Sequence, residues 1–492
     1  MRLEHVKNLP PFQRPVYQRV PSTFSRRDFI IAGVVTGSVA LLAACGANPS
    51  GGVPSSGPAP SGPTNRPSPT PRRLLGIIPE PALPSPTPTP QPLVLRFAHW
   101  ETGAAAQALS TLADRFSRST PRIVVQPEVS AFAEHFDNVR RSFATGTAPD
   151  VFVNSGAYFQ DFLALKALLD LSDRMSADQF SLTDYWTEPT TQPVDGRQYS
   201  LPIWNATEIV VYNRDHFVER KLAEPTADWT WDSFLTTAQQ LTVGKPGEVQ
   251  RWGLLLIDDL QGGWGSFVAG NGGDWLDLAG QKVTLQQPAA LEALQWCVDA
   301  ILVHHVAPRP SQVQRLSQAG QIDPFLAGDV SMFPTGTWEM PLALAQAPFQ
   351  WDVQRLPRAP RTGESVTLSG VQPASIASAT RLPDQSWQFL RFLLERDAQT
   401  LLAAGKVKLP SRKDVAVDQT SGYAVPPPAH AVVAAQAMEH ARDLHFVPRW
   451  QAFRTAVVDA LAPAFDGRVL LSDAVQQAVS AGDAALSGTA AD

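Results

Sequence analysis

The chain has 492 residues, with 40 basic and 46 acidic side chains, so its formal net charge is −6. The charge is mild and no cluster of basic residues stands out, which argues against nucleic acid as a partner. The composition is that of a globular protein preceded by a proline-rich segment.

The N-terminal segment carries an arginine pair directly before an apolar stretch. Arg26 and Arg27 precede residues 29–44, a stretch too short and too rich in Gly, Ser and Thr for a stable membrane-spanning helix. It ends in Leu-Ala-Ala followed by Cys45. The pattern resembles a twin-arginine export signal joined to a lipoprotein signal, in which Cys45 is lipidated and becomes the mature N-terminus. The alternative is an ordinary secretory signal whose cleavage site happens to carry a cysteine.

Lipidation of Cys45 would leave Cys297 as the only other cysteine, so no intrachain disulfide could form. Cys297 lies in a stretch, residues 290–302, whose apolar residues recur at helical spacing. We therefore predict a buried small hydrophobic side chain rather than a reactive thiol.

A proline-rich segment follows the cysteine. Residues 46–92 contain fifteen prolines, interleaved with Ser, Thr and Gly, and show no periodic apolar pattern. Such a segment cannot bury enough surface to offset the entropy of ordering. We interpret residues 1–44 as the export signal and 45–92 as the lipid attachment site and a disordered linker. At about 3.1 Å per residue, the linker reaches on the order of 140 Å. We assign no role to its short apolar interruption, residues 74–78.

The remaining residues, 93–492, hold all thirteen tryptophans and are too many for one hydrophobic core, so two lobes are expected. The first part of this region alternates between stretches with strand periodicity and stretches with helical periodicity of their apolar residues. Strands are predicted at residues 93–98, 122–126 and 150–153, and helices at 104–117, 133–143 and 158–169. This order predicts a mostly parallel sheet with helices on both faces, in which ligands bind beyond the carboxyl ends of the strands. Trp100, Glu101, Asn154 and Ser155 come directly after two of those ends.

A set of short motifs follows in a fixed order along the chain. They are Ala-Thr-Gly-Thr-Ala-Pro-Asp-Val at 144–151, Asp-Gly-Arg-Gln-Tyr-Ser-Leu-Pro at 195–202, Val-Val-Tyr-Asn-Arg at 210–214, Trp-Thr-Trp-Asp-Ser-Phe at 229–234, Phe-Leu-Ala-Gly-Asp-Val-Ser-Met-Phe at 325–333, Gly-Thr-Trp at 336–338 and Leu-Pro-Ser-Arg at 409–412. The ordered set resembles the extracellular solute-binding proteins of carbohydrate ABC importers, the group that contains maltose-binding protein. Within it, Thr230 is the predicted N-cap of a helix.

The resemblance implies a two-lobed periplasmic-binding-protein-like fold, each lobe a mostly parallel sheet flanked by helices, joined by a hinge that the chain crosses several times. Crossings are expected near residues 204–209, 338–342 and 408–412. Closure would then be a hinge motion around the ligand. The implied division is 93–204 for the first part of lobe 1, 205–338 for the first part of lobe 2, 339–408 for the return to lobe 1, and 409–492 for the C-terminal helices on lobe 2.

A sugar presents an apolar ring face and a rim of hydroxyls, so its site needs aromatic rings together with carboxylates and amides. Each candidate has a structural alternative: a core or hinge tryptophan for Trp338, a helix-start charge for Glu101, helix capping for Asn154 and Ser155, and a packed Gly-rich loop for residues 261–273. The predicted ligand contacts are Trp100, Glu101, Asn154, Ser155, Trp204, Asn205, Trp264, Asn271 and Trp338.

Other aromatic and acidic residues are interpreted as structural. Trp229 and Trp231 flank a helix start, and Trp296 and Trp387 lie on amphipathic helical faces, which predicts that all four belong to cores. The adjacent Asp258 and Asp259 offer acceptors for hydroxyl groups, but we read them as a solvated turn.

The predicted function is extracytoplasmic capture of a small solute, a mono- or oligosaccharide, for an ABC importer. The partners are the sugar, the permease subunits and, through the lipid anchor, the membrane; the protein is expected to be a monomer without a cofactor or metal. His304 and His305 are adjacent on a helical stretch and so point away from a common ligand. The alternatives are a secreted carbohydrate-active enzyme and a binding protein that serves a sensor. No nucleophile-elbow, zinc-protease or phosphate-loop motif supports an enzyme.

Overall fold

The computed structural model describes residues 91–317 and 320–488. The described residues belong to one compact unit, residues 87–492. The predicted export signal, Cys45, the proline-rich segment and residues 74–78 lie outside the described residues. Within the described ranges, no helix has both the length and the apolar character needed to cross a membrane.

Thirteen strands are assigned in the described part of the chain. In chain order they are β1 (Leu93–His99), β2 (Ile123–Val129), β3 (Val151–Val153), β4 (Leu201–Asn205), β5 (Glu208–Asn213), β6 (Val243–Lys245), β7 (Glu248–Leu254), β8 (Val330–Gly336), β9 (Trp351–Gln354), β10 (Thr367–Leu368), β11 (Gln372–Ile376), β12 (Leu409–Pro410) and β13 (Ala441–Arg442).

The α-helices of the same residues are α1 (Gly103–Ser119), α2 (Phe132–Ala144), α3 (Gly156–Ala164), α4 (Ser172–Ala177), α5 (Arg214–Arg220), α6 (Trp231–Leu241), α7 (Trp264–Gly270), α8 (Pro288–Leu302), α9 (Pro310–Leu316), α10 (Asp323–Leu326), α11 (Met340–Gln346), α12 (Pro383–Leu393), α13 (Arg396–Ala403), α14 (Lys413–Ala416), α15 (Val432–Gln436), α16 (Trp450–Phe465) and α17 (Leu471–Ser487). Short 3₁₀ turns occur at Pro189–Thr191, Thr337–Glu339, Ala404–Lys406 and Ala437–His440.

The first lobe is built on a six-stranded sheet in the order β12-β4-β11-β3-β1-β2. Its β1-α1-β2-α2-β3 start has the predicted parallel pairing, because α1 and α2 supply the crossovers that parallel strands need. Helices cover both faces. Phe97 of β1 contacts Phe389 of α12 on one face, and Phe152 of β3 contacts Phe162 of α3 on the other.

The second lobe is built on a five-stranded sheet in the order β6-β7-β8-β5-β9. Here the expectation of a mostly parallel sheet is wrong, since only β7 and β8 pair in parallel and the other three pairings are antiparallel. The first sheet is mixed as well, because β11 runs antiparallel to both β3 and β4, and β12 runs antiparallel to β4. Connectivity explains one of these pairs, because β6 and β7 are joined by a short hairpin and such a turn makes strands antiparallel.

Strand β5 lies between β8 and β9 in the second sheet and is buried along its whole length. Val210 and Tyr212 belong to one hydrophobic cluster, and Ile209 and Val211 to another, as expected when successive side chains point to opposite faces. The first cluster packs the sheet against α6, α7, α8, α16 and α17. A strand with two covered faces reads as a continuous apolar run, which is what β5 shows.

The hydrophobic clusters of the two lobes test several of the structural predictions. Trp229, Trp231 and Cys297 are buried at 6%, 4% and 1% exposure, and the ring of Trp296 stacks on Phe267 with centroids 5.0 Å apart. Trp387, which is 5% exposed, lies in the first lobe's core. These core assignments are confirmed. The Thr230 N-cap is confirmed as well, since its side chain accepts a hydrogen bond from the backbone of Ser233 at 3.3 Å.

The chain passes from β4 in the first sheet to β5 in the second through Ala206 and Thr207. The return corrects the expected crossing at residues 338–342 and the assignment of 339–408 to lobe 1. Strand β9 still belongs to the second sheet, where it pairs with β5, and the chain re-enters the first sheet only at β11, through residues 369–371. The chain stays in the second lobe at β9 because β9 pairs with the side of β5 that faces away from β8. A last passage follows β12, which still pairs with β4 in the first sheet, although residues from 409 onward were assigned to lobe 2.

Candidate functional site

Polar and aromatic side chains gather at one edge of the first sheet. Strands β1, β3 and β4 end there, and β11 and β12 begin there, because β11 runs antiparallel to its neighbours. Gln372 lies opposite Trp204, and Leu409 lies opposite Asn205. We call Glu101, Asn154, Trp204, Asn205, Gln372 and Lys408 the first-lobe edge.

Glu101, predicted from the end of the first strand, and Trp204, predicted from the first crossing, are linked at this edge by Lys408. The Lys408 ammonium lies 2.7 Å from a carboxylate oxygen of Glu101, and the two side chains are 15% and 8% exposed. The same ammonium lies 5.2 Å from the centre of a Trp204 ring, in cation–π geometry. A cation therefore balances the carboxylate and joins three strand ends.

Trp204 itself is 1% exposed. Its indole N–H donates to the side-chain oxygen of Gln372, and Lys408 covers its ring. This burial leaves no open ring face for a ligand in the conformation described. The structure thus places Trp204 as the packed wall behind the edge rather than as an accessible stacking surface.

Two buried asparagines lie beside this wall. Asn154 is 0% exposed and Asn205 is 2% exposed. Within the described residues, neither the amide nitrogen of Asn154 nor either amide atom of Asn205 has a hydrogen-bond partner. Buried amides are costly when unpaired, which makes these two side chains the strongest hydrogen-bonding candidates of the predicted set.

Ser155 and Trp100 have mainly structural contacts. The Ser155 hydroxyl accepts a hydrogen bond from the backbone of Ala157 at 3.4 Å and caps α3, as in the capping alternative. Trp100 is 9% exposed and packs edge-on against Phe132 and His135, with centroids 5.3 and 5.1 Å apart. The packing of Trp100 joins β1 to α2.

In the second lobe, Asn271 is engaged by protein groups. Its amide nitrogen donates to the Ala289 carbonyl at 2.9 Å and to Glu292 at 3.2 Å, and its oxygen accepts from the Arg361 backbone at 3.3 Å. These bonds match the packed-loop alternative. Trp264 is 1% exposed in the second-lobe core, although its indole nitrogen has no partner among the described residues.

Trp338 differs from the other three predicted tryptophans because it is partly exposed. It lies on the 3₁₀ turn after β8, and its ring covers Gly336 and approaches Gly262, where a Cβ atom would lie 3.4 Å from the ring. The backbone N–H of Thr337 donates to the Thr207 carbonyl at 2.9 Å, which fixes the turn to the first crossing. Because Gly336 and Gly262 have no side chains, the Trp338 indole fits beside the hinge.

The sequence profile of the bacterial extracellular solute-binding proteins matches residues 111–431. The chain belongs to this family. A curated relative is an uncharacterised lipoprotein encoded in the oleD 5′ region of Streptomyces antibioticus. It is 24% identical over 330 residues, which are 65% of this chain and 71% of the relative.

Solved structures support the same fold for this solute-binding protein. An ABC substrate-binding protein from Listeria monocytogenes in complex with cycloalternan superposes with a TM-score of 0.70 at 21% identity, covering 81% of this chain and 99% of that one. The cyclic α-maltosyl-1,6-maltose binding protein from Arthrobacter globiformis gives 0.69 at 22% identity, covering 81% and 100%. The sugar-binding protein MalE from Xanthomonas citri gives 0.68 at 19% identity, covering 80% and 98%. The predicted two-lobed α/β fold is confirmed.

Sequence reasoning missed three residues of the binding protein, two on the first-lobe edge and one beside it. Lys408 and Gln372 belong to segments whose pairing with β4 no local pattern announces, although Lys408 begins the predicted third crossing. The third is His99, whose ring accepts a hydrogen bond from the Glu101 backbone at 3.2 Å. Burial lowers the pKa of His99 to about 4, helped by the positive charge of Lys408, so the ring is neutral at pH 7.

The two lobes also touch away from the crossings. Gly156, at the start of α3, faces the ring of Phe446, which packs against the second-lobe core, and any side chain at this glycine would overlap that ring. The Arg449 backbone bonds Asp161 of the same helix. The first-lobe edge is therefore bounded by the hinge and by this contact.

Other parts of the molecule do not compete as the candidate site. A surface cavity of about 210 Å³ lies between β2 and α2, and none of the nine predicted contacts lines it. In the described ranges, no group of three or more His, Cys, Asp or Glu side chains could hold a metal ion. His304 and His305 lie beyond the end of α8, not on it. Asp259 pairs with Arg454, so the 258–259 segment is not a free solvated turn.

Proposed function

We propose that this solute-binding protein captures a neutral mono- or oligosaccharide outside the cytoplasmic membrane and delivers it to an ABC importer by closing its hinge. The observation that carries the proposal is the first-lobe edge, where unpaired buried amides and a carboxylate lie beside the hinge, with the partly exposed Trp338 on the second-lobe side of the same crossing. Amides, a carboxylate and an aromatic ring are the groups that sugar hydroxyls and ring faces require.

The charge balance of the edge supports a neutral ligand. Lys408 already pairs with Glu101 at 2.7 Å, so no free cation of the edge is left to bind an anionic group. The ligands named for the similar structures, among them cycloalternan, mannotriose and α-D-tagatose, belong to those proteins and are consistent with the same class.

A thermal-shift screen of the full chain against maltotriose, mannotriose, tagatose and their uronic acid counterparts tests this proposal. A ligand at 100 times its Kd stabilises the folded state by about 2.7 kcal/mol, so a binder gives a clear rise in Tm. We expect neutral sugars to stabilise and the acids not to. Stoichiometric recovery of the unchanged sugar is expected from a binding protein, whereas catalytic turnover would favour the carbohydrate-active enzyme.

We also propose that Cys45 carries a lipid that holds the protein at the outer face of the cytoplasmic membrane. Cys45→Ala removes the attachment point, so the variant should be exported and then released from the membrane fraction. The measurement is the distribution of the protein between membrane and soluble fractions, with Cys297→Ala as the control that keeps the anchor. Membrane retention of processed Cys45→Ala would contradict the lipoprotein interpretation.

A further inference from the structure

The second crossing, residues 369–371, is held directly by the buried carboxylate of Glu188 and indirectly, through Ser266 and Leu368, by that of Glu208. The crossing is paired with the first one, since Ala206 and Gly370 exchange two backbone hydrogen bonds at 3.1 and 3.0 Å. The two crossing segments, residues 206–207 and 369–371, form the core of the hinge. Groups that bond to them influence how readily the lobes move.

Glu188 forms hydrogen bonds to the second crossing from the first-lobe side. It is 6% exposed, and its two carboxylate oxygens accept hydrogen bonds from the Ser369 hydroxyl and, at 3.0 Å, from the Val371 backbone N–H. Its own backbone is fixed by Thr191, whose hydroxyl oxygen accepts from the Glu188 N–H at 3.0 Å.

Glu208 makes the equivalent set of bonds on the second-lobe side. It is 3% exposed, and its oxygens accept from the Gly262 backbone N–H at 2.7 Å and from the Ser266 hydroxyl at 2.5 Å. The Ser266 oxygen in turn accepts from the Leu368 backbone at 3.4 Å. The Thr367 hydroxyl bonds the Glu208 backbone N–H and carbonyl at 2.7 and 2.8 Å, so Glu208 is tied to β10, directly before the second crossing.

No ion pair to a Lys, Arg or His side chain compensates either carboxylate in residues 91–317 and 320–488. The charged neighbours that act on them are Asp443 for Glu188 and Asp259 for Glu208, and both are acidic. The nearby Arg442 guanidinium is directed to Asp274 and to backbone carbonyls, and Arg454 pairs with Asp259. The hydrogen bonds that each carboxylate accepts favour its ionised form, but burial outweighs them and raises the pKa of Glu188 to about 7 and that of Glu208 to about 7.

We propose that Glu188 and Glu208 are positioning residues that latch the hinge in their protonated state, and that loss of their protons loosens it. The hinge of this protein would then respond to the pH outside the cell. The inference does not depend on which solute is bound, since every group that carries it belongs to the protein.

The direction of the pH effect follows from the linkage between proton binding and opening of the latch. A carboxyl group that opens to water returns toward its ordinary pKa near 4.5, whereas in the latched state it keeps its proton up to about pH 7. Between these values the latched state binds more protons, so lowering the pH favours it. The equilibrium constant for opening each latch should rise about tenfold per pH unit from pH 5 to pH 7 and then level off.

Hydrogen exchange resolved to single amides, on the full chain without added ligand, tests the proposal. After correction for intrinsic exchange, protection of the Val371 and Gly262 amides should fall about tenfold per pH unit from pH 5 to pH 7. Glu188→Gln cannot ionise, so Val371 should lose this dependence while Gly262 keeps it. Glu208→Gln should give the reverse, and each variant is thereby the control for the other.

Asp258→Asn serves as a second control. Burial raises the pKa of Asp258 to about 7 as well, but this carboxyl group has no bond to the second crossing, so its removal should leave the Val371 amide unchanged. Unaltered pH dependence at Val371 in Glu188→Gln, or an equal change at both amides in both variants, would overturn the latch. A failed sugar screen would not affect this result, because no ligand is added.

Discussion

The two sides of the hinge differ in how their side chains are held. On the first-lobe edge, Glu101 and Trp204 are buried and are held by the half-buried Lys408 and Gln372. Trp338, by contrast, is partly exposed on a short turn of the second lobe. The first arrangement is a packed wall that also supports the fold. The second is an aromatic surface that can meet a ligand at little cost to the fold. Substitutions should therefore separate stability from affinity.

The largest expected effect is on stability, at Trp204. Trp204→Ala removes a 1% exposed indole from the first-lobe core and should lower the free energy of unfolding by about 3–5 kcal/mol. Chemical denaturation measures the loss, and Trp387→Ala, at 5% exposure in the same core, is the matched control. A stable Trp204→Ala protein that has lost only affinity would show that the indole faces the ligand.

The second-largest effect on stability is expected at the ion pair of Lys408 and Glu101, which contacts the Trp204 ring. Lys408→Met leaves the Glu101 carboxylate buried without its cation, which should cost about 3 kcal/mol of folding stability. Combining it with Glu101→Gln removes the uncompensated charge and should restore most of the loss. Additive losses in the double variant would mean that the two side chains are not coupled.

Trp338 should show the opposite balance. Trp338→Ala should weaken sugar binding by about 2 kcal/mol, on the order of 30-fold, with little change in Tm, and Trp338→Phe should recover part of the affinity. Calorimetry and thermal unfolding on the same variants measure both. Trp351→Ala, a partly buried tryptophan on β9, should leave affinity unchanged. Strong destabilisation with normal affinity would assign Trp338 to the hinge packing instead.

The smallest effect should be at Ser155. Its hydroxyl caps α3, so Ser155→Ala should cost about 1 kcal/mol of stability and leave the affinity unchanged. Thr230→Ala, which removes the cap of α6 far from the first-lobe edge, should behave alike. If Ser155→Ala alone reduces affinity, the residue contacts the ligand as the strand-end position predicts.

Prediction from the sequence was accurate for the first lobe and weaker for the second. The strands and helices up to α3 follow local periodicity and lie within a few residues of their predicted bounds, apart from the C-terminal end of α3. Glu101 and Asn154 reach one edge because the carboxyl ends of the parallel strands β1 and β3 meet there. Trp204 and Asn205 reach the same edge because β11 runs antiparallel to both β3 and β4. Asn271 was selected from its Gly-rich surroundings, yet Ala289, Glu292 and Arg361 occupy its amide.

The sequence alone determined the family, the core tryptophans, the burial of Cys297 and the alternation of strands and helices in the first lobe, because each depends on neighbours close in the chain. Only the tertiary structure decided the antiparallel second sheet, the return at residues 369–371, and the contacts of Lys408 and of the two hinge carboxylates. Glu188 meets Ser369 across 181 positions, and Lys408 meets Glu101 although it lies 307 positions further along the chain (408 − 101). Such pairings arise when separately formed elements pack together, and no local pattern contains them.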